Sequence, residues 1–588
     1  MLSSFARLPK DYEAACDQEN SLHRKRVEHR RFRFHRRVLR WQERSLWIAL
    51  GRRALSWVLK SSLGSIGVFL LTFSAISLAG GIWRHAASIT SGRLLLPIAI
   101  LISSVPLLAA SESCAEGIRR GRILSWLLFD FCGISEALFT GEKKGIERNW
   151  SSMFLGSLLG GIASLFHPLV AILLLLLPVV ASLLLSVPEL MAAGVCLALP
   201  FFNLFARPTV ALLASLLICF LAWVGKAVSG KRQMGRTRTD RDVLAFALCY
   251  LLGGFTSAGG RSSLVAGALR CVLLLLSWFP VRSLLSSDRW RKRTLKGLCI
   301  SSFVVSGYGI LQYVSGKAEL AWVDLSRFSD IGGRVTSVFD NPNILAVYLL
   351  LTVPIALGGC FAEERIVKKL ICAGSLLSGS LCLLLTWSRG AWLGWMLAVL
   401  FFFLCYCRRS LGLLLASPIP LLTVLLWLPR SVLNRFGSIG NLSESSIRYR
   451  LYTWQGVRRM LSANPFGIGV GDSAFHAVFP AFAVSGTERV MHAHHLLLQI
   501  ASELGIPALL LFFLLVWRLS RRTAEGMRRS FSHSTRATHL GIVGGLLGAL
   551  VMGQFDHIWY HGGTFCLFWM LAATLLCLNE RGENLHET

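Results

Sequence analysis

"NILAVYLLLTVPIALGGCFA", residues 343–362, runs for twenty positions without one charged side chain. At a rise of 1.5 Å per residue, a helix of that length crosses roughly 30 Å of hydrocarbon. Lipid offers the backbone no hydrogen-bond partners, so a run that spans it has to be helical. Similar runs recur through most of the 588-residue chain, which is 54% hydrophobic and 16% charged. A soluble protein carries roughly a quarter charged residues. The pattern predicts spans near 61–83, 93–112, 150–166, 168–187, 188–205, 208–226, 242–259, 262–285, 297–316, 343–362, 370–387, 391–407, 411–429, 494–517, 539–557 and 562–580. The expected fold class is an all-α polytopic membrane protein.

The formal net charge is +30. In a soluble chain that would suggest nucleic acid as a partner. Here the charge sits in short connections between spans: "KRQMGRTRTDR" (231–241), "RWRKRTLK" (289–296), "RIVKK" (365–369), Arg408–Arg409 and "RRTAEGMRR" (521–529). This is the positive-inside pattern, so no nucleic acid is expected and these connections are placed in the cytoplasm. An even number of spans separates them, and one topology satisfies all. It also places "EGIRRGR" (116–122) and "EKKGIER" (142–148) inside, which requires a span between Trp150 and Phe166 despite its weak apolar signal. Arg270 falls within the span predicted at 262–285. Both termini are expected in the cytoplasm. The connection 317–342, the turn at Ser388–Arg389 and the long connection 430–493 then fall on the external face.

The expected organisation is a basic cytoplasmic segment (1–60), a membrane extension of about four spans (61–187), a membrane domain (188–580) and a short cytoplasmic tail (581–588). "RKRVEHRRFRFHRRVLRWQER" (24–44) mixes arginines with apolar residues. It suits the surface of an anionic membrane, or serves only as a solvated tail that fixes orientation. The basic tract precedes the first apolar run, so a cleavable signal peptide is not expected. "ILSWLLFDFCGISEALF" (123–139) reads as an interfacial helix, since Asp130 and Glu136 count against a full span. The fifteen cysteines form no C-x-x-C pair, which suggests neither a zinc site nor a disulfide framework.

Long loops tend to be functional. The large connection holds "SSIRYRLYTWQGVRRMLSANPFGIGVGDSAFHAVFPAF" (445–482), with Arg448 and Arg450 ahead of an amphipathic stretch from Leu451 to Leu461. Its glycines follow no strand, so they read as a compact turn and not as a dinucleotide site. "MHAHHLLLQIASELG" (491–505) closes the loop. A helix beginning near His494 would carry His495, Gln499 and Glu503 along one face of an apolar span. Such a stripe lines a wet cavity, or glues helices together. A metal site is not expected, because His492 and His494 at i,i+2 share no helical face and no carboxylate pair completes a ligand set. "TWSRGAWLG" (386–394) sets Arg389 in a sharp turn between spans, as an anion-binding group or an interfacial snorkelling one. "GGRVTSVFDNPNILA" (332–346) carries Arg334, Asp340 and Asn343 just before a span.

In this order, "GRVTSVFDNPNILAVYLLL", "LLLTWSRGAWLG", "RYRLYTW…NPFGIGVG" and "HAHHLLLQIASELG" resemble the successive motifs of the O-antigen ligase/polymerase superfamily, the Wzy-type C-terminal domain. The motifs run from about residue 332 to 507, and the surrounding layout, 188–580, fits the twelve spans of that family. The resemblance implies a GT-C-like bundle of about 12 core helices with one large external loop, here preceded by the N-terminal extension. Two positions depart from the pattern. His495 stands where the family has asparagine. Ser337 and Val338 precede Phe339 where the family has a small residue.

What the resemblance implies is glycan transfer from a polyprenyl-pyrophosphate donor to an acceptor hydroxyl, at the outer face of the cytoplasmic (plasma) membrane. Register with L-L-Q and E-L-G makes His494 the implied general base, and an imidazole pKa near 6.5 suits that role. Arg389 and Arg450 are the implied pyrophosphate clamps, with Arg448 and Arg334 in reserve. Asn343, His495, Gln499 and Glu503 complete the expected substrate-binding set. Transfer is expected to invert the anomeric centre and to need no metal and no cofactor. Expected partners are the lipid-linked donor, a lipid- or glycan-linked acceptor, membrane lipids and envelope-assembly proteins. The acceptor choice leaves polymerase, ligase and protein O-oligosaccharyltransferase open. A membrane transporter for bicarbonate or another small solute is the alternative from a different class, although transporters place their sites at the midplane.

Overall fold

The computed structural model describes residues 55–85, 91–131, 136–139, 143–165, 187–228, 237–255, 258–319, 333–406, 445–484, 486–529 and 532–584, together with Arg53, Leu433 and Gly437. Outside them lie most of the basic segment 1–60, the spans expected at 168–187 and 411–429, Arg408–Arg409, part of the large connection and the last tail residues. Among the described residues the chain is helical, with isolated β-bridges and no named strand. Nine described helices are long and apolar enough to cross a membrane, and shorter apolar helices cover Leu95–Leu107, Pro188–Leu204 and Gly562–Leu578. The protein is an all-α polytopic membrane protein.

The chain divides into two compact units, one of residues 1–190 with 224–233, the other of 191–223 with 234–588. In the first, α1 (Leu63–His85) packs on α5 (Asn149–Leu165), the helix expected from loop charge alone. Gly156 and Gly160 allow the close approach, since a Cβ there would stand 2.6 Å from the Phe69 carbonyl oxygen and 2.7 Å from that of Phe73. Between them, α2 (Ser91–Ser104) contains Pro97, and α3 (Cys114–Arg120) and α4 (Arg122–Ser125) are short. The stretch expected as an interfacial helix is helical over residues 122–131, as α4 and a π-turn over Trp126–Phe131, with a 3-10 turn over Glu136–Phe139.

The second unit contains most of α6 (Pro188–Ala198) and α7 (Pro208–Val228), followed by α8 (Arg238–Phe255), α9 (Gly260–Leu284), α10 (Asp288–Val314), α11 (Pro342–Ala362), α12 (Ile366–Leu385) and α13 (Arg389–Tyr406). The large connection supplies α14 (Ser445–Ala463) and α15 (Asp472–Val478), and α16 (Leu496–Arg529), α17 (His533–Met552) and α18 (Gly562–Asn584) complete the chain. α11 is the central helix, with nearly every side chain from Leu345 to Leu357 buried. The predicted span at 262–285 is therefore one continuous helix with Arg270 inside it. Arg270 donates to the Tyr560 carbonyl at 2.9 Å and lies 5.1 Å from the centre of the Phe565 ring, so the charge is held by protein.

Polar contacts sort the helix ends into two groups. At one end, Leu496 N–H donates to the Gly553 carbonyl at 2.6 Å and Arg334 Nε to the Thr386 carbonyl at 2.7 Å. At the other, Lys296 pairs with Glu363 at 2.7 Å, Arg282 with Asp240 and Arg518 with Asp242. The loops that carry the sequence motifs all belong to the first end.

α16 is broken at Gly505, where φ is 86°, just ahead of Pro507. A break in a spanning helix leaves backbone groups without partners, which is tolerated only where protein re-satisfies them. The segment "NPFGIGVG" (464–471) does so. Ile468 N–H donates to the Ser502 carbonyl (2.8 Å), Gly469 N–H to that of Glu503 (3.2 Å), and Ile506 N–H to that of Pro465 (2.8 Å). The glycine-rich turn is thus clipped into the gap in α16. Gly505 and Gly467 are required by contact as well as by backbone angle. A Cβ on Gly505 would lie 2.5 Å from Phe466 C, and one on Gly467 2.7 Å from the Glu503 carbonyl oxygen. Gly505→Ala is therefore expected to destabilise the protein by about 1–3 kcal/mol or more, lowering the melting temperature in detergent. Gly307→Ala, with nothing within 4 Å of its would-be Cβ, leaves it unchanged or slightly higher.

Candidate functional site

Three connections meet at the motif end, each anchored by the chemistry of its own sequence. Asn341 caps α11, its side-chain oxygen accepting the Asn343 N–H at 2.8 Å, and Pro342 occupies the first turn, where no N–H is needed. The preceding loop is held by Gln312, whose side-chain oxygen accepts the N–H groups of Thr336 and Ser337, both at 3.0 Å. The turn before α13 places Arg389 at the first position of that helix. The stretch before α16 carries the three histidines.

Ser337, Trp387 and His494, at φ of 53°, 54° and 48°, are the non-glycine residues in left-handed backbone among the described residues. One lies in each of the three loops, and such strain gathers where tertiary structure over-determines a site. Ser337 holds a backbone angle that favours glycine or another small residue.

The side chains join into one network. Arg334 donates through NH2 to the Asn343 side-chain oxygen at 2.9 Å, and Asn343 donates through Nδ2 to Asp556 Oδ2 at 2.8 Å. The other carboxylate oxygen accepts the His557 N–H at 2.9 Å and lies 3.2 Å from His494 Nδ1. Burial favours the protonated acid, but His494, Arg450 and His492 outweigh it and hold the Asp556 carboxyl well below the usual carboxylate range. The carboxylate can only accept, so a neutral His494 meets it with the Nδ1–H tautomer and leaves Nε2 as the acceptor.

Asp556, in the short connection between α17 and α18, was not singled out from the sequence. Its signal there was an acidic residue in a short turn between spans on the face that holds the motifs. His492 was noted only as a neighbour of His494. Its ring centre lies 4.2 Å from that of His494, and burial, with His494 and Arg450, pushes its imidazole down to about 4.

Two spaces adjoin here. A groove of about 200 Å³ is lined by Leu393, Ile447, Leu451, Trp454 and Phe555, with Arg389 and Arg450 among these apolar walls. A cavity of about 480 Å³ is lined by Asn341, Asn343, Tyr449, Arg489, Met491, His492, His494, Asp556, His557 and Tyr560, among others. Tyr449 and Arg450 are consecutive, as are Phe555 and Asp556, and in each pair one residue faces each space. Arg448 is exposed on α14 and lines neither.

The remaining expected residues bind protein. Gln499 accepts the Ala493 N–H at 2.7 Å and donates to Glu503 at 3.0 Å, and Glu503 accepts the Gly471 N–H at 3.1 Å. Both are buried, and they tie the histidine stretch and the glycine-rich turn to α16. His495 does an asparagine's work. Its Nδ1 faces the N–H groups of Leu497 and Leu498 at 3.2 and 3.4 Å, two donors that the first turn of α16 leaves without helical partners. Burial lowers its pKa, which favours the neutral ring that this acceptor role requires. Its ring also packs edge-on against Trp454, with centres 5.3 Å apart.

His492 and His494 lie ahead of α16 and not on a helix. The segment is a turn, and it brings both rings beside the Asp556 carboxylate, so one ligand atom from each lies within 4.8 Å of the others.

Residues 374–513 match the family model Wzy_C, described as O-antigen ligase. The matched stretch holds Arg389, Arg448, Arg450, His494, His495, Gln499 and Glu503, whereas Arg334, Asn343 and Asp556 lie outside it. No curated protein matches the chain.

The capping role of His495 has a direct check. His495→Asn is expected to melt within a degree or two of the parent protein in detergent, and His495→Ala to lose about 1 kcal/mol. Equal losses in both variants would contradict it.

Proposed function

We propose that this multi-pass membrane protein, which matches an O-antigen ligase family model over residues 374–513, transfers a glycan from a polyprenyl-pyrophosphate donor to an acceptor hydroxyl, as a surface-polysaccharide polymerase or O-antigen ligase does. The observation that carries this reading is the junction of the two spaces. An apolar groove with Arg389 and Arg450 in its wall meets a polar cavity holding His494 and Asp556. A lipid pyrophosphate needs an apolar track ending in forked cationic donors, and Arg389 and Arg450 supply them. An acceptor sugar needs a hydrated, polar space with aromatic walls, and the cavity has Tyr449 and Tyr560.

In this reading the acceptor hydroxyl oxygen attacks the anomeric carbon from the cavity side while the bond from that carbon to the phosphate oxygen breaks. The electron pair leaves with the pyrophosphate, whose growing charge the two arginines stabilise. His494 Nε2 takes the hydroxyl proton. Asp556 fixes the tautomer and stabilises the imidazolium that forms, and Asn343 and Arg334 hold Asp556 in place. Attack opposite the leaving group inverts the anomeric centre. No step calls on a metal. By the positive-inside rule the motif end faces outward, with both termini in the cytoplasm.

The test is transfer of a labelled lipid-linked glycan by the purified protein. His494→Ala is expected to lower the rate by about 10²–10⁴-fold, and Asp556→Asn to follow it closely. Near-normal transfer by His494→Ala would assign the base elsewhere. Activity abolished by EDTA and restored by magnesium would contradict the metal-free mechanism.

A further inference from the structure

We infer that His492, His494 and Asp556 form a binding site for one divalent transition-metal ion, Zn²⁺ above all, and that its occupancy shuts off proton transfer at His494. The binding stands by itself, whereas the inhibitory consequence rests on the transferase reading above.

Each of the three residues offers one ligand atom, and all three atoms lie within 4.8 Å of one another. Zn–N and Zn–O bonds of about 2.0–2.2 Å place tetrahedral donors about 3.3 Å apart. His494 Nδ1 and Asp556 Oδ1 are already at 3.2 Å, so small side-chain rotations close the set. That contact, which the ion replaces, is long beside the usual 2.9–3.0 Å.

The ligands are also held from behind, as metal ligands are. Asn343 and the His557 N–H fix the carboxylate, and Arg334 fixes Asn343. The His494 backbone is set in its left-handed turn. The 480 Å³ cavity leaves room for water at the fourth position. His557 adds another imidazole, its ring centre 5.6 Å from that of His492 and its buried Nδ1 without a hydrogen-bond partner.

Two imidazoles and one carboxylate select zinc and its neighbours over magnesium and calcium, which prefer oxygen donors. A metal on His494 either takes the lone pair directly or breaks the Asp556 contact that keeps it on Nε2. Either way the base is lost, and the site becomes a metal-sensitive brake on the enzyme.

The experiment is calorimetric titration of ZnCl₂ into the full-length protein in detergent, with any affinity tag removed. One ion is expected per protein, with affinity at least tenfold weaker in His492→Ala and in Asp556→Asn. Melting curves identify a variant that fails to fold, and the other variant then decides. Equal zinc binding by the parent and a folded variant would overturn the site, since the ion then sits on other histidines. In the transfer assay, zinc is expected to lower the rate at least tenfold, EDTA to restore it, and magnesium to do nothing. Zinc bound at the site with the rate unchanged or raised would overturn the brake. The calorimetry needs no activity, so failure of the site and failure of the transferase reading are separately visible.

Discussion

One half-buried carboxylate organises the motif end of this protein. Asp556 receives hydrogen bonds from the Asn343 side chain and the His557 backbone, and faces His494 Nδ1 at 3.2 Å. An unpaired charge at that depth would be expensive. Here the network and the nearby cation Arg450 keep it ionised. The ionised carboxylate in turn favours the Nδ1–H tautomer whenever His494 is neutral. Removing it changes both the tautomer and the orientation of the imidazole.

The fold exists to bring that carboxylate, from the connection between α17 and α18, against residues some 60 and 210 positions earlier in the chain. A break in α16 anchors the large connection at the same end. The helix gives up backbone bonds at Gly505, and the glycine-rich turn of the large connection takes over the freed carbonyls of Ser502 and Glu503. Gln499 and Glu503 complete the clip from the side-chain direction. The large connection is thereby fixed to the membrane bundle, and α14 is held where Arg450 and Tyr449 reach the two spaces. An apolar cluster that includes Val457, Met460, Phe475 and Phe479 supports α14 from the other side.

Apolar period and loop charge made the helices legible, including α5, whose own apolar signal is weak. Local pattern could not deliver residue roles that depend on tertiary pairing. The histidine at 495, where the resemblance leads one to expect asparagine, is a puzzle as sequence and a helix cap as structure. Gln499 and Glu503 lay on a predicted polar stripe, and nothing in the spacing said that their partners would be backbone groups of a loop. Asp556 carried no motif, because its meaning lies wholly in what stands opposite it. The i,i+2 spacing of His492 and His494 was read through helical geometry, and a left-handed turn gave a different neighbourhood.

In the proposed mechanism Arg334, Asn343 and Asp556 act as one unit that orients His494. A double-mutant cycle on Asn343→Ala and Asp556→Asn, read as the rate of glycan transfer, measures that coupling most directly. If Asn343 acts through Asp556, the double variant is no slower than Asp556→Asn alone. Two losses that multiply in full, as for independent sites, would contradict the account.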